Sequence, residues 1–374
     1  MQFIDANYVA YQPGRFLSYD DVSLVVKYSD HDSRNDRRID LTTKFTSMIP
    51  LRVPILSAPM DTVTGPEMVK ALAQQGAFGI LHRTFENEDA RIAAIKEIAS
   101  VFGAVAFSIG TDNTEAQFVA KITEMLPNET LIVNIDVAHG HLEKCMRQIR
   151  NVKSIITNKS QIIAGNIVTG LAAKDLITAG ANAIRVGIGN GGNCKTRQVT
   201  GHGTPQLSAI MECRRAINAI GSNAALIADG GIRNSGDIVK ALAVGADSVM
   251  IGRLFAATEE SPGKLHFRRS DGEYIKNSQD SDYYEDKLYK KYRGQSSQDF
   301  LNTIGKTGVA PEGESCYIPY RGSVTPILTE LIMGIKSGMT YAGCHTLAQL
   351  NEHATFIEVS YNGYIEGTPH GIDR

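Results

Sequence analysis

The chain carries almost no excess charge. Its 38 lysines and arginines face 40 aspartates and glutamates, a formal net charge of −2. Without a basic bias there is no footprint of phosphodiester-backbone binding. Nucleic acid is therefore not expected as a partner, although local basic groups still suffice for a single nucleotide. No apolar run approaches the ~20 residues that cross a bilayer, so no membrane partner is expected either. Cysteine is sparse and scattered: Cys145, Cys194, Cys213, Cys316 and Cys344. These five lack both the paired spacing of a zinc site and the density of a disulfide framework, and a reducing, cytoplasmic setting suits them. The first residues, Met1 to Asn7, lack the basic-then-apolar pattern of a secretory leader. Low-complexity tracts are missing too. What is present is a 43% hydrophobic content over 374 residues, ample for a large core and incompatible with a disordered chain.

Short apolar runs beat through the middle of the chain: Pro54–Ser57, Gly79–Leu81, Ala104–Phe107, Leu131–Ile135, Ile162–Gly165, Ala183–Val186, Leu226–Ala228 and Val249–Gly252. Most lie about 22 to 30 residues apart, the length of a strand, a helix and two turns. Helix signals fill the gaps. Thr64-Gly65-Pro66-Glu67 starts one that Gly76 closes. Thr204-Pro205 starts another, with Leu207, Ile210, Met211, Ile217 and Ile220 at helical spacing. Ser235 is the expected cap of a third, with Gly245 near its end. Runs apolar on both faces suggest a covered parallel sheet. Eight such beats in about 200 residues suit a (β/α)8 barrel, with a doubly wound sheet as the alternative from pattern alone. In a barrel the chemistry sits after the strand C-termini. There the sequence places Ser57-Ala58-Pro59-Met60-Asp61, Asp136, Asn166, Asp229-Gly230-Gly231 and Gly252-Arg253. From Gly263 to Gly322 the beat breaks. This tyrosine-rich stretch, with Tyr274, Tyr283, Tyr284, Tyr289 and Tyr292, is expected to be an inserted hairpin and active-site flap between strand eight and the last helix. Otherwise residues 1–374 read as one domain.

After the sixth run comes Gly187-Ile188-Gly189-Asn190-Gly191-Gly192-Asn193-Cys194-Lys195-Thr196-Arg197. Its glycines resemble a dinucleotide fingerprint. That motif should open a helix at once, whereas the next helix signal lies more than ten residues on. Two readings remain. One is a loop whose carbonyls, including those of Gly189, Gly191 and Cys194, hold a monovalent cation and whose end presents a nucleophilic Cys194. The other is a tight turn with a buried, inert cysteine. Lys195 and Arg197 alongside would favour a thiolate. Asp229-Gly230-Gly231 with Gly252 has the form of a barrel phosphate site, in which backbone N–H groups cradle a dianion. The Asp229 carboxylate suits ribose hydroxyls better than phosphate. Asp136, at a strand end, is a candidate polar ligand contact. His139-Gly140-His141 has no helical partner or nearby cysteine, so metal binding is not expected there. Cys145, Cys213 and Cys344 sit in helix-like settings and read as structural.

Several of these segments together resemble the inosine monophosphate dehydrogenase / guanosine monophosphate reductase family. They are Leu17-Ser18-Tyr19-Asp20-Asp21-Val22, Ser57-Ala58-Pro59-Met60-Asp61-Thr62-Val63-Thr64, Asp229-Gly230-Gly231, Pro319-Tyr320-Arg321-Gly322-Ser323, Ser337-Gly338-Met339-Thr340-Tyr341-Ala342-Gly343 and the cysteine loop. The resemblance implies a (β/α)8 barrel, a purine nucleotide substrate, a nicotinamide cofactor, a catalytic cysteine and a homotetramer. Dehydrogenases of the family usually insert a pair of CBS modules after the second barrel unit. Here Leu81-His82-Arg83-Thr84 reaches Gly103-Ala104 through one helix, which leaves no room for them.

Ile135-Asp136-Val137-Ala138-His139-Gly140, Ala164-Gly165-Asn166-Ile167-Val168-Thr169-Gly170 and Pro205-Gln206-Leu207-Ser208-Ala209 resemble the reductase branch. The dehydrogenase pattern uses an Arg-Tyr pair in the flap to activate water, and between Gly294 and Glu314 this chain has neither residue. The reductase pattern uses a threonine two residues after the cysteine and a flap glutamate followed by glycine. Thr196 and Glu312-Gly313 match. The resemblance thus implies that Cys194 attacks C2 of guanosine monophosphate, that Thr196 and Glu312 move the proton as ammonia leaves, and that hydride comes from NADPH. It places the nucleotide on Ser57, Met60, Asp229, Gly230, Gly231, Gly252, Arg253 and Ser296. It places the cofactor near Arg83, Asp136, Val137, Ala138 and Asn166, and a potassium ion on the loop carbonyls. A CBS-less dehydrogenase using NAD and a nucleotide-sensing paralogue are the alternatives. Asn190 and Gly192 depart from the family loop, which often carries a proline and a phosphate-touching serine there. The tail from Ser360 through Pro369-His370 is closer to a dehydrogenase end, and the hairpin from Lys264 to Lys291 is longer than in either branch.

Overall fold

The computed structural model describes residues 4–5, 15–269, 272–275 and 284–369. Most of Met1 to Asn7, where no leader pattern is read, together with Tyr283 of the insertion and His370 of the tail, lies outside the described residues. Eight parallel strands form the centre: β1 Ile55–Ser57, β2 Phe78–Gly79, β3 Ala104–Ile109, β4 Thr130–Asp136, β5 Gln161–Ile167, β6 Ala183–Val186, β7 Ala225–Asp229 and β8 Ser248–Ile251. Their order is β2-β1-β8-β7-β6-β5-β4-β3. The ring closes where Leu81, just past β2, bridges Phe107 of β3. There the Leu81 N–H donates to the Ala106 carbonyl and the Ser108 N–H to the Leu81 carbonyl, each at 2.9 Å. A doubly wound sheet would stay open at both edges, so the barrel reading holds.

The helices α1 Pro66–Gln74, α2 Glu88–Phe102, α3 Asn113–Met125, α4 Glu143–Ile155, α5 Gly170–Ala179, α6 Gln206–Ala219, α7 Ser235–Ala243 and α8 Val324–Ala342 surround it. Their starts follow local chemistry. Pro66 opens α1, where a missing N–H costs nothing. At α7 the expected cap shifts by one residue: Asn234, not Ser235, accepts the Asp237 N–H at 3.0 Å. The amide oxygen of Asn234 reaches the third helical N–H, while Ser235 already has helical backbone angles. The connection from β2 to β3 is α2 alone.

Strand side chains alternate between two cores. Leu56, Ala106, Ile132, Ile163, Ala183, Ile227 and Met250 point into the barrel, while Ile55, Val105, Leu131 and Ile184 face the helices. The sequence before β1 adds a feature that periodicity did not indicate. A short hairpin, Thr43–Lys44 with Pro50–Leu51, drives Phe45 and Leu51 into the barrel bottom. The Ser47 N–H ties it to the Asn182 carbonyl at 3.1 Å. With its floor sealed, the barrel is open at the strand C-termini. Among the described residues no helix is long and apolar enough to cross a membrane.

His82, one residue past the barrel-closing bridge, is 6% exposed and stacks on Phe85 with ring centroids 4.2 Å apart. Its Nδ1 accepts the Thr84 N–H at 3.1 Å. Burial pushes its pKa down to about 4. The unfolded chain therefore binds a proton between pH ~6.5 and ~4 that the folded chain refuses. Stability is fully present above pH ~6.5 and falls by about 3 kcal/mol as pH drops to ~4. Urea unfolding at pH 7 and pH 4.5 checks this. His82→Gln is expected to flatten the slope, and an unchanged slope would remove His82 from it.

The insertion is larger than a hairpin. Strands β9 Leu265–Arg269, β10 Tyr274–Ile275, β11 Tyr284–Arg293 and β12 Ser315–Pro319 form an antiparallel sheet in the order β10-β9-β11-β12. Tyr274 stacks on Tyr317 at 4.1 Å and meets Tyr289 edge-on. Buried Lys290 donates to the carbonyls of Ser261 (2.7 Å) and Glu259 (3.2 Å), and Arg293 pairs with Asp61 beyond β1. These ties root the sheet at the open end of the barrel, and the chain between β11 and β12 lies over the mouth.

Candidate active site

The cysteine loop leaves β6 at Gly187, whose φ is +149°. A Cβ there would lie 2.0 Å from the Asp229 carbonyl, so only glycine lets the loop pass the end of β7. Cys194 is exposed at the far end, which overturns the expectation of a buried cysteine. A short helix, Thr196–Thr200, follows at once and corrects the expectation of more than ten loop residues. It starts after the thiol and not on the glycines, so it does not restore the dinucleotide fingerprint. Lys195 does not serve the thiol. Its Nζ pairs with Glu314 Oε1 at 2.5 Å, and the Arg197 stem packs against Gly189 and Gly203.

The flap completes a chain of donors. The Cys194 thiol donates to Thr196 Oγ1 at 3.2 Å, and Thr196 Oγ1 donates to Glu312 Oε2 at 2.8 Å. Main-chain bonds set the pairing: Lys195 N–H to the Glu312 carbonyl at 2.6 Å, and Glu312 N–H to the Ser296 carbonyl at 2.9 Å. A thiol proton thus has a hydrogen-bonded path to a carboxylate.

Beneath the loop lies a buried charge network that sequence reading did not find. Arg185, 4% exposed, donates to Asp136 Oδ1 at 2.6 Å and Asp229 Oδ2 at 2.7 Å. Burial alone would lower the guanidinium pKa, but the two carboxylates raise it. The signal was an arginine inside an otherwise apolar strand. Asn166 adds Nδ2 bonds to Asp229 Oδ2 (2.8 Å) and the Gly187 carbonyl (2.9 Å), and its buried Oδ1 has no partner among the described residues. Gln295 of the flap reaches across to Asp136 Oδ2 at 2.9 Å and to the Pro59 carbonyl at 2.6 Å. Both Asp136 oxygens are therefore taken, whereas Asp229 Oδ1 accepts from no described residue. Removing the cation from such a pair typically costs 3–5 kcal/mol. Arg185→Met is expected to lose about that much in chemical denaturation; a loss below about 1 kcal/mol would show that the carboxylates find other partners.

These groups line one cleft of about 850 Å³ with Met60, Arg83, Val137, Ala138, Gly230, Gly231, Gly252, Arg253 and Ser296. Ser57 is the exception. It is fully buried, accepts from the Thr64 hydroxyl at 2.7 Å and does not line the cleft. Strand alternation explains the correction: Leu56 and Ala58 point into the barrel, so Ser57 points away. Arg253 makes no hydrogen bond or ion pair with any described residue, and a Cβ on Gly192 would lie 3.5 Å from its Cδ. Tyr292, one of the insertion's tyrosines, also lines the cleft. A Cβ on Gly252 would lie 3.0 Å from its hydroxyl, and burial with Asp229 nearby raises its pKa. The buried hydroxyl of Tyr19, beside Gly231, also lacks a partner among the described residues.

His141 pairs with Asp175 at 2.9 Å. Among the described residues the one grouping of three metal-capable side chains is Asp30, His31 and His345, away from the cleft. Both His31 nitrogens there already face Asp36 and the Cys344 carbonyl.

A family model described as IMP dehydrogenase / GMP reductase domain matches residues 16–370. An inosine-5'-monophosphate dehydrogenase of Borreliella burgdorferi is 35% identical over 95% of this chain and 97% of its own length. A GMP reductase of Vibrio vulnificus is also 35% identical, over 92% and 94%. The inosine-5'-monophosphate dehydrogenase of Nitrosopumilus maritimus is 30% identical over 95% and 98%. Overall identity does not separate the two activities.

Proposed function

We propose that this chain, which belongs to the IMP dehydrogenase / GMP reductase family of oxidoreductases, reduces guanosine monophosphate, or a close guanine nucleotide, to inosine monophosphate and ammonia at the expense of NADPH. The hydrogen-bonded run Cys194–Thr196–Glu312 carries the reading. As the sulfur bonds to C2, the thiol proton passes through Thr196 to Glu312. Glu312 returns it through Thr196 to the exocyclic amine, the C2–N bond breaks and neutral ammonia leaves. Atoms balance, because the thiol hydrogen becomes the third hydrogen of ammonia. Bound NADPH supplies the hydride that C2 accepts as the thiolate departs. A dehydrogenase must instead activate water, and the Gly294–Glu314 segment carries neither arginine nor tyrosine for that task.

The open Asp229 Oδ1 suits ribose hydroxyls. The main chain of Gly230, Gly231 and Gly252 with the unpaired Arg253 suits a phosphate dianion. Met60 and Ser296 flank the base. Arg83, Val137, Ala138 and Asn166 form the side open to a nicotinamide. Asp136 orients this side through Arg185, since its own oxygens are occupied. The carbonyls of Gly189, Gly191 and Cys194 are hard donors that suit potassium, which would fix the loop's curvature. The Gly191 carbonyl also accepts the Cys194 N–H at 3.0 Å, leaving one lone pair for an ion.

Two incubations test the reading. Guanosine monophosphate with NADPH should consume absorbance at the reduced nicotinamide band and release ammonia. Inosine monophosphate with NAD should yield sustained NADH only if the alternative holds, and that result alone would sink the proposal. Light scattering should report the expected homotetramer.

A further inference from the structure

Asn193 directly precedes the nucleophile and is only 8% exposed. Its carboxamide sits between the roots of β11 and β12. Nδ2 donates to the Glu314 carbonyl at 3.1 Å, the Tyr292 carbonyl at 3.3 Å and Cys316 Sγ at 3.4 Å, and the Cys316 thiol faces Oδ1 at 3.7 Å. Around it the main chain runs as a short antiparallel pairing. Cys194 bridges Gly313, the Glu314 N–H donates to the Asn193 carbonyl at 2.8 Å, and the Lys195 N–H donates to the Glu312 carbonyl.

Main-chain bonds in such a pairing are indifferent to which residue they join. A slip of one residue keeps the ladder and turns each side chain to the opposite face. Here that slip would take Glu312 off Thr196. The Asn193 side chain, unlike the ladder, finds these acceptors in one register only. We propose that Asn193 is a positioning residue, a register lock that holds Glu312 opposite Thr196. What Glu312 does there rests on the amine-release reading; the lock itself does not.

Two measurements on the full-length protein test this. In Asn193→Leu, which keeps the branching and the number of side-chain heavy atoms but has no donors, hydrogen exchange at the Glu314 and Lys195 amides should quicken about tenfold or more, while barrel-strand amides stay protected. With guanosine monophosphate and NADPH, kcat should fall about 10–100-fold with KM nearly unchanged, and the loss should vanish in a Glu312→Gln background. Unaltered exchange overturns the lock. So does a kcat loss that adds fully to that of Glu312→Gln, because a merely structural role is additive. Should Asn193→Leu fail to fold, Asn193→Asp keeps the shape and removes the donors, with the same expectations. If the parent protein does not reduce guanosine monophosphate, the exchange measurement alone decides the lock, and the activity reading fails separately.

Discussion

Cys194→Ala is expected to lower turnover by about 10⁴-fold or more while nucleotide affinity stays within a few fold. The reasoning is one of elimination as much as of placement. Cys145 and Cys213 are buried, and burial pushes the Cys145 thiol up to about 11 and raises that of Cys213 further. Cys344 is buried as well, and Cys316 is half-covered and held by Asn193. Cys194 alone is exposed, at the end of a loop that glycine at position 187 lets pass the strand-seven carbonyl. Stoichiometric iodoacetamide should therefore label Cys194 first, read by peptide mass, and inactivation should track that label. Turnover surviving in the alanine variant, or inactivation that follows another thiol, would move the chemistry elsewhere. Retained affinity matters because the sensor alternative shares it; what separates the two is turnover in the parent.

The sequence made the barrel legible because the strands are covered on both faces and several helix starts, such as Pro66 and Asn234, carry their own chemistry. Strand ends could then be searched, and Cys194, Thr196, Asp229 and Arg253 all reach one cleft. Ser57 failed because a motif match says nothing about pleat parity: Leu56 and Ala58 take the inward positions, so Ser57 cannot. Long-range charge pairing was equally hidden. Arg185 reads as one polar residue in an apolar strand, and its partners Asp136 and Asp229 lie 49 and 44 positions away. Local periodicity carries no such pairing. The insertion was recognised by its broken rhythm, but its four-stranded form depends on register across segments that share no period. Asn193 had no assigned role, and Tyr292 stood out only as one of the insertion's tyrosines, because their places at the cleft depend on that register.

Glu312→Gln is expected to lower the amine-releasing rate by about 10²–10³-fold with nucleotide binding retained. Glutamine keeps an oxygen that can accept from the Thr196 hydroxyl at the observed 2.8 Å, so the flap should still dock. It cannot carry the proton. The amine then has no donor at the end of the path, so its departure stalls even when the thiol proton escapes to solvent. Thr196→Val cuts the same path in its middle and should cost a similar amount, and the two changes together should cost little more than either, since one broken link already stops the relay. Hydride transfer itself needs no relay, and from inosine monophosphate the thiol proton is lost to solvent because no amine has to receive it. Inosine monophosphate with oxidised cofactor, in the absence of ammonia, should still give a single-turnover burst of reduced cofactor in Glu312→Gln, within a few fold of the parent. Equal loss in both halves would mean that Glu312 supports the loop and not the proton. An unchanged amine-releasing rate would remove it from the reaction altogether. A selective loss would tie the 3.2 and 2.8 Å steps from Cys194 to Glu312 to ammonia departure, the step that a water-activating dehydrogenase does not need.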